Sequence, residues 1–237
     1  MQFSVISHSD LDSVVFRLDA EYFQPKYEEL IRLITKNSRY TKVISEIQTY
    51  NTRGVQPKYS TDGTLDIITS KHILESGLDF DNFEKTDLTN WIVYKKAQVK
   101  KGNILTYTTG ANIGRTAIYQ SGRKALASNH VNILSIENEN PDYVAFVMNS
   151  LIGRLQTEQL SAGSAQVELY PRDIEKFVIP FIDKKKQLEI QQKVTESFAL
   201  RKQSKHLLEC AKRAVEIAIE QDEKTAMKWL GTQTQER

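Results

Sequence analysis

The residue types that most often carry catalysis occur here in patterns that do not support it. His8, His72, His130 and His206 are scattered and Cys210 is the only cysteine, so no cluster has the spacing of a metal site. Each histidine reads more readily as a structural or surface residue than as a ligand. There is no GxxxxGKS/T phosphate loop, and Gly110-Ala-Asn-Ile-Gly114 has the wrong glycine spacing for a dinucleotide fold. A GxSxG nucleophile elbow is missing. So are the Asn-Pro-Pro-aromatic tetrapeptide of amino-methyltransferases and the acid followed by Glu-x-Lys of many metal-dependent nucleases. Asp79 and Asp81 sit in turn-like sequence without a general-acid context. An enzyme whose chemistry lies wholly within this chain is not expected.

Binding chemistry is better represented. Between Asp87 and Glu137 there is no acid, yet the interval holds Lys95, Lys96, Lys100, Lys101, Arg115, Arg123 and Lys124, with His130 beside them. Cations without local counter-charge attract polyanions through their local field, even when the whole domain is balanced. The alternative is a solvated face whose acids come from elsewhere in the fold. Residues 1–180 carry 20 Lys and Arg against 21 Asp and Glu, while residues 181–237 carry 12 against 9. The overall net charge is only +2, so nucleic-acid binding would have to rest on local charge.

The elements that must position these residues change character along the chain. Phe23, Tyr27, Leu30, Ile31 and Ile34 recur at helical spacing. With Pro25 tolerated only near a helix start, they predict a regular helix from about Gln24 to Lys36-Asn37, with Asp19 as its N-cap and Glu28 and Glu29 facing water. From Thr41 to Pro180 short β-branched or aromatic runs predict strands at Leu65–Thr69, Trp91–Tyr94, Asn103–Tyr107, Thr116–Tyr119 and Val131–Ile136, bounded by glycine turns. A short helix is expected from Tyr143 to about Leu155. The fold class is α+β: a β-rich domain with an N-terminal helix over residues 1–180, then a long helical region over residues 181–237.

That last region has no proline or glycine from Asp183 to about Leu230 and is dominated by helix formers. A helix so long, roughly 70 Å, cannot be covered by a domain of this size and must pack against another long helix. Ile190, Val194, Leu208, Ala211, Val215 and Ala218 fit an alternating four/three seam, interrupted at Ser197, Arg201 and Ser204. Coiled-coil-like pairing with another long helix is the leading expectation. A helix broken into a hairpin is the second, disfavoured because no glycine or proline makes the turn.

Composition sets the outer limits. The 237 residues are 40% apolar and 26% charged, enough for a core and against wholesale disorder. No run of about 18 uncharged apolar residues could span a membrane. The amino-terminal stretch lacks a secretory signal pattern, and the lone cysteine fits a reducing cytoplasm.

Several stretches resemble the specificity (S) subunit of type I restriction–modification enzymes, specifically one half of it. Arg17-Leu-Asp-Ala-Glu-Tyr-Phe-Gln-Pro-Lys-Tyr27 is similar to a segment frequent near the front of such subunits. Gly102-Asn-Ile-Leu-Thr-Tyr-Thr-Thr-Gly-Ala-Asn-Ile-Gly-Arg115 resembles the family's GDIL…G.IG stretch, with Asn103 where the family more often has Asp. Ser161–Gln166 through Ile174 to Ile179-Pro180 is similar to the end of a target-recognition domain, and Lys186–Ile190 to the opening of the family's helix. The departure is length, because a full subunit carries two recognition domains and two helices.

The resemblance implies a non-catalytic role. A target-recognition domain binds one half of a split double-stranded DNA target, and antiparallel helices space the halves and dock methyltransferase (modification) subunits. The restriction subunit is a further partner, and S-adenosylmethionine, Mg and ATP would be bound by partners. A single-domain version would pair as a homodimer or with a second half-subunit, making the target an inverted repeat. Base readout is assigned to Tyr107, Thr108, Thr109, Asn112 and Arg115, where Gly110 and Gly114 let the backbone approach a duplex. In the alternative, the glycines only shape a turn and Arg115 faces solvent. Phosphate contacts are assigned to Arg123 and Lys124 and to Ser70, Lys71 and His72, and Arg53 in the Tyr50–Lys58 loop is a further candidate. Two other readings stay open: a protein-interaction adaptor working through its helix, and a fragment of a single-chain restriction–methylation enzyme. The initial Met and the character of the tail count against the fragment.

Overall fold

The computed structural model describes residue 7, residues 17–161 and residues 167–234. The chain divides into two compact units, residues 1–187 and 188–237. Most of the Ser161–Gln166 stretch and of the amino terminus, His8 included, lies outside the described residues.

The first unit opens with an arginine that closes a helix far along the chain. Arg17 Nη1 donates to the carbonyls of Gln159, Leu160 and Ser161 at 3.2, 3.1 and 3.3 Å, and Asp19 holds its guanidinium in place through a 2.6 Å contact. These carbonyls end a helix and have no partner within it. Asp19 is therefore engaged by Arg17 and is not a helix cap. The helix α1 (Pro25–Asn37) is preceded by Gln24, with proline in its first turn. Its Tyr27 and Ile34 are buried, and Glu28 and Glu29 face water as expected.

After α1 come β1 (Tyr40–Val43), the single turn α2 (Ile44–Ile47), β2 (Gln48–Arg53), β3 (Leu65–Ile68), β4 (Ile73–Leu74), β5 (Gly77–Leu78) and β6 (Glu84–Thr86). Next are α3 (Asn90–Val93), β7 (Gln98–Val99), β8 (Ile104–Tyr107), β9 (Thr116–Ile118), β10 (Ala125–Ala127) and β11 (Val131–Ile136). The unit closes with α4 (Pro141–Asn149), α5 (Leu151–Leu160), α6 (Pro171–Ile174) and β12 (Val178–Phe181). One four-stranded sheet has the order β2-β11-β8-β9, the other β6-β3-β10-β7, and β1 pairs antiparallel with β12. Strand alternation builds the core between the two sheets. Ala125 and Ala127 of β10 join Ile68, Leu105, Tyr119 and Ile133 on one side, while Leu126 points to a smaller cluster with Leu65 and Ala97.

Three sequence expectations are corrected. Trp91–Tyr94 is not a strand: only Trp91 and Tyr94, three residues apart, meet apolar partners, and Ile92 and Val93 face solvent. That is helical spacing, and α3 is the result. The helix expected over 143–155 is two helices split at Ser150. The Ser150 N–H closes α4 on Phe146, and its hydroxyl accepts from Ile152 N at 3.2 Å to start α5. Finally, His72 is a core residue. It is 1% exposed, its Nδ1 accepts from Thr69 N at 2.9 Å, and its ring meets the Phe83 edge.

The unusual Asn103 fits its position. Its Oδ1 accepts from Lys100 N at 2.6 Å and its Nδ2 donates to Ser135 Oγ at 2.7 Å. A carboxylate would accept at both places, the serine then donating, so Asn and Asp serve the same turn.

The helix α7 (Lys184–Glu220), which begins at the end of the first unit and continues as the second, stops ten residues before the expected end near Leu230. At about 1.5 Å per residue its 37 residues span roughly 56 Å. Asp222 interrupts it without glycine or proline, accepting from Thr225 N at 2.8 Å and from the Thr225 hydroxyl at 2.7 Å. This N-cap starts α8 (Glu223–Thr234). Cys210, Ala214, Ile217 and Ala226 are buried among the second unit's described residues.

Two predictions follow from the packing of the first unit. A Cβ at Gly54 would lie 2.0 Å from the Ala127 carbonyl oxygen, whereas one at Gly122 would meet nothing within 4 Å. In urea unfolding, Gly54→Ala is expected to cost about 2 kcal/mol or more, and Gly122→Ala under about 0.5 kcal/mol. His72 is held below its ordinary pKa chiefly by burial, then by Lys71. The unfolded chain therefore takes up its proton first, and this stabilisation is complete above about pH 6.5 and lost as pH falls. His72→Gln should flatten the fall of stability on acidification from that pH, relative to the parent chain.

Candidate nucleic-acid interface

Strand directions sort the candidate residues onto two ends of the sheets. β11 runs antiparallel to β2 and β8, with Val131 opposite Tyr107 and Asn132 opposite Arg53. The end of β2, the Thr108–Arg115 loop and the Ser128–His130 turn therefore share one end. Ser128 N donates to the Ile68 carbonyl at 2.9 Å, which brings Ser70, Lys71 and His72 to the same place. β10 runs parallel to β3 and antiparallel to β7, with Ala125 opposite Asp66 and Val99. Arg123 and Lys124 thus fall at the other end, beside Lys100 and Lys101. The two expected sets of phosphate contacts, Ser70–His72 and Arg123-Lys124, therefore lie at opposite ends of β10 and β3.

At the first end the cations are already engaged by acids. Arg53 Nη1 is 3.4 Å from Glu168, Nη2 donates to the Thr108 and Leu169 carbonyls at 3.4 and 3.1 Å, and the guanidinium lies 4.5 Å over the Tyr170 ring. Arg53 is a structural clasp. The Tyr170 hydroxyl and then Arg53 hold the Glu168 carboxyl below the usual range. Lys71 pairs with Glu84, whose carboxyl it holds low, and Arg115 pairs with Glu75 at 3.4 Å.

Burial removes further candidates from this end. Thr108 is 0% and Thr109 5% exposed, because the loop backbone is sewn to Val167, Leu169 and His130. Gly110 and Gly114 have φ of 99° and 86°, which only glycine adopts cheaply. A Cβ on Gly114 would also press on Thr157 Oγ1 at 2.6 Å, so this glycine fits the loop to α5. A Cβ on Gly110 would meet the Tyr107 hydroxyl at 3.7 Å, an ordinary contact. Tyr107, Asn112 and Arg115 remain half-exposed, as do Ser70 and the adjacent Asn129 and His130. Asn129 Oδ1 and His130 Nδ1 have no hydrogen-bond partner among the described residues. This is a rigid loop cluster offering donors and acceptors with little free charge.

The second group is the reverse. β7 is an edge strand, with Lys95 and Lys96 before it, Lys100 and Lys101 after it, and Lys124 beside it on the β10 side. All five are exposed, and none has an acid partner among the described residues. Lys124 lies 5.6 Å over the Trp91 ring. Arg123, by contrast, is 3.6 Å from Asp66, which Lys85 also contacts at 2.5 Å. The acid-free interval marked these lysines in the sequence, although only Lys124 was singled out there as a phosphate contact.

The candidate seam of α7 is open in the second unit. Leu208 and Val215 are 56% and 60% exposed, Ala211 is exposed, and Ile190, Val194 and Ala218 are half-exposed. Leu200, Leu207 and Ile219 widen the stripe. No helix of the described residues is long and apolar enough to cross a membrane.

Comparison with known proteins agrees with this architecture. No curated protein matches the sequence. Among solved structures, the S subunit of a type I restriction–modification system from M. genitalium matches with a TM-score of 0.52 at 12% identity, over 78% of this chain and 45% of that one. A chain from a study of complex assembly and conformational transition of the type I system matches with a TM-score of 0.50 at 10% identity, over 88% and 52%. The type IIG restriction endonuclease BpuSI matches with a TM-score of 0.51 at 10% identity, over 72% and 28%. The chain thus spans about half the length of the S-subunit structure. The family model for the type I restriction modification DNA specificity domain matches residues 39–209, which include both sheets and most of α7, and the chain belongs to that family.

Proposed function

We propose that this chain is a sequence-specific DNA-recognition subunit that positions partner methyltransferase and endonuclease subunits on a bipartite target. The observation that carries this reading is the set of five exposed lysines along the β7 edge, with no acid among the described residues to neutralise them. Their charge is available to phosphates, and the loop cluster at Asn112, Arg115, Asn129 and His130 offers hydrogen-bonding groups to base edges. Chemistry, with S-adenosylmethionine, Mg and ATP, belongs to the partners.

The stripe on α7 supports self-association. Leu200, Leu207, Leu208, Val215 and Ile219 expose apolar surface on one long helix, and covering it with a second copy removes that surface from water. Two-fold pairing then sets two recognition units a fixed distance apart. A protein-binding adaptor would use the same stripe, so the two readings separate on DNA.

Selection from a random duplex pool should return an inverted repeat, bound by a dimer in light scattering. Salt-insensitive protein binding with no duplex preference would favour the adaptor. Removing one helical turn between Ser197 and Ser204 should shorten the selected gap by about 2 base pairs, since a turn rises 5.4 Å and a base-pair step about 3.4 Å. An unchanged gap at equal affinity would refute the spacer role.

A further inference from the structure

The segment Leu88–Val93 presents three large apolar side chains to solvent. Leu88, Ile92 and Val93 are 54%, 71% and 66% exposed. Their turn is nonetheless fixed. Trp91 and Tyr94 pack into the cluster of Leu65, Ala97 and Leu126. The Trp91 carbonyl accepts from Gln98 Nε2 at 2.7 Å, Asn90 Nδ2 donates to Thr86 Oγ1 at 2.5 Å, and the Tyr50 hydroxyl donates to the Lys96 carbonyl at 2.7 Å. Two β-branched side chains are thus held outward on a braced turn, at the cost of leaving them in water.

What surrounds them identifies the occupant. Lys95 and Lys96 follow the turn directly, and Lys124 sits over Trp91 on its flank. Apart from Asp87 at its base, no acid occurs until Glu137. An apolar tip ringed by unpaired cations complements a surface with dense negative charge outside and apolar planes within, which is how base steps lie between phosphates.

We propose that Ile92 and Val93 form a wedge that enters the minor groove, partly unstacks a base step and bends the duplex, while Lys95, Lys96 and Lys124 hold the flanking phosphates. This rests on the DNA-recognition reading and adds to it a contact that distorts DNA. Wedges of this kind bend duplexes by roughly 20–90°. Part of the target preference then comes from how easily a step opens, at a position where no base edge is read.

The test uses the full chain and a duplex of the sequence it selects, with dyes at both ends and 2-aminopurine at successive steps. The parent chain should raise energy transfer between the ends and brighten 2-aminopurine at one step. The double substitution Ile92→Ala, Val93→Ala removes only exposed atoms and should abolish both signals. It should weaken binding roughly tenfold while leaving the salt dependence unchanged. Binding without bending by the parent chain, or equal bending by the variant, would overturn the wedge and leave DNA recognition standing. So would a variant that binds and bends normally but loses a co-expressed methyltransferase or anionic vesicles, which would make the turn a protein or lipid contact. Failure of the parent chain to bind any duplex would overturn both readings.

Discussion

Short-range neutralisation of charge divides the cations of the globular unit into two classes, and the functional account depends on that division. Arg53, Lys71, Arg115 and Arg123 each have a carboxylate within 4 Å, contributed by Glu168, Glu84, Glu75 and Asp66. Their fields are largely cancelled locally. Lys95, Lys96, Lys100, Lys101 and Lys124 border an edge strand, with no such partner among the described residues. Lysines at a sheet edge also discourage edge-to-edge pairing, so one feature protects the free strand and presents charge to a polyanion. In the reading proposed above, affinity rests with the β7 edge and readout with the loops that follow β8 and β10.

That separation suits a specificity module. Loops that discriminate bases must be rigid and must not bind every phosphate they meet. Here the Thr108–Arg115 loop is fixed by backbone bonds to Leu169 and His130 and by positive φ at Gly110 and Gly114. Its charge is muted by Glu75. The lysine edge can then supply attraction that is indifferent to sequence. The long helix exposes Leu208 and Val215, the surface that the self-association proposed above would cover.

The sequence carried the periodic elements and missed those set by capping or pairing. Pro25 marked the start of α1, and the β-branched runs at Leu65, Asn103, Thr116 and Val131 became strands. Trp91–Tyr94 had strand-like composition, but its apolar partners lie only on the Trp91 and Tyr94 face. Ser150 and Asp222 broke helices with hydrogen bonds from their own side chains, a signal weaker than glycine or proline. At the site, the acid-free interval was legible because it is a property of order along the chain. The clasping of Arg53 and the burial of His72, Thr108 and Thr109 were not, because they depend on residues 50 or more positions away or on which way a turn faces.

The central claim is that duplex affinity comes from the lysine edge and not from the cations of the loop end. The slope of log binding constant against log salt tests it directly, because each phosphate contact contributes about 0.9 to that slope. Replacing Lys95, Lys96, Lys100, Lys101 and Lys124 with Gln should reduce the slope by up to about 4.5, whereas Lys71→Gln with Arg115→Gln should change it by less than about 1. A slope that survives loss of the five lysines, or that collapses with Lys71 and Arg115 alone, would contradict the account.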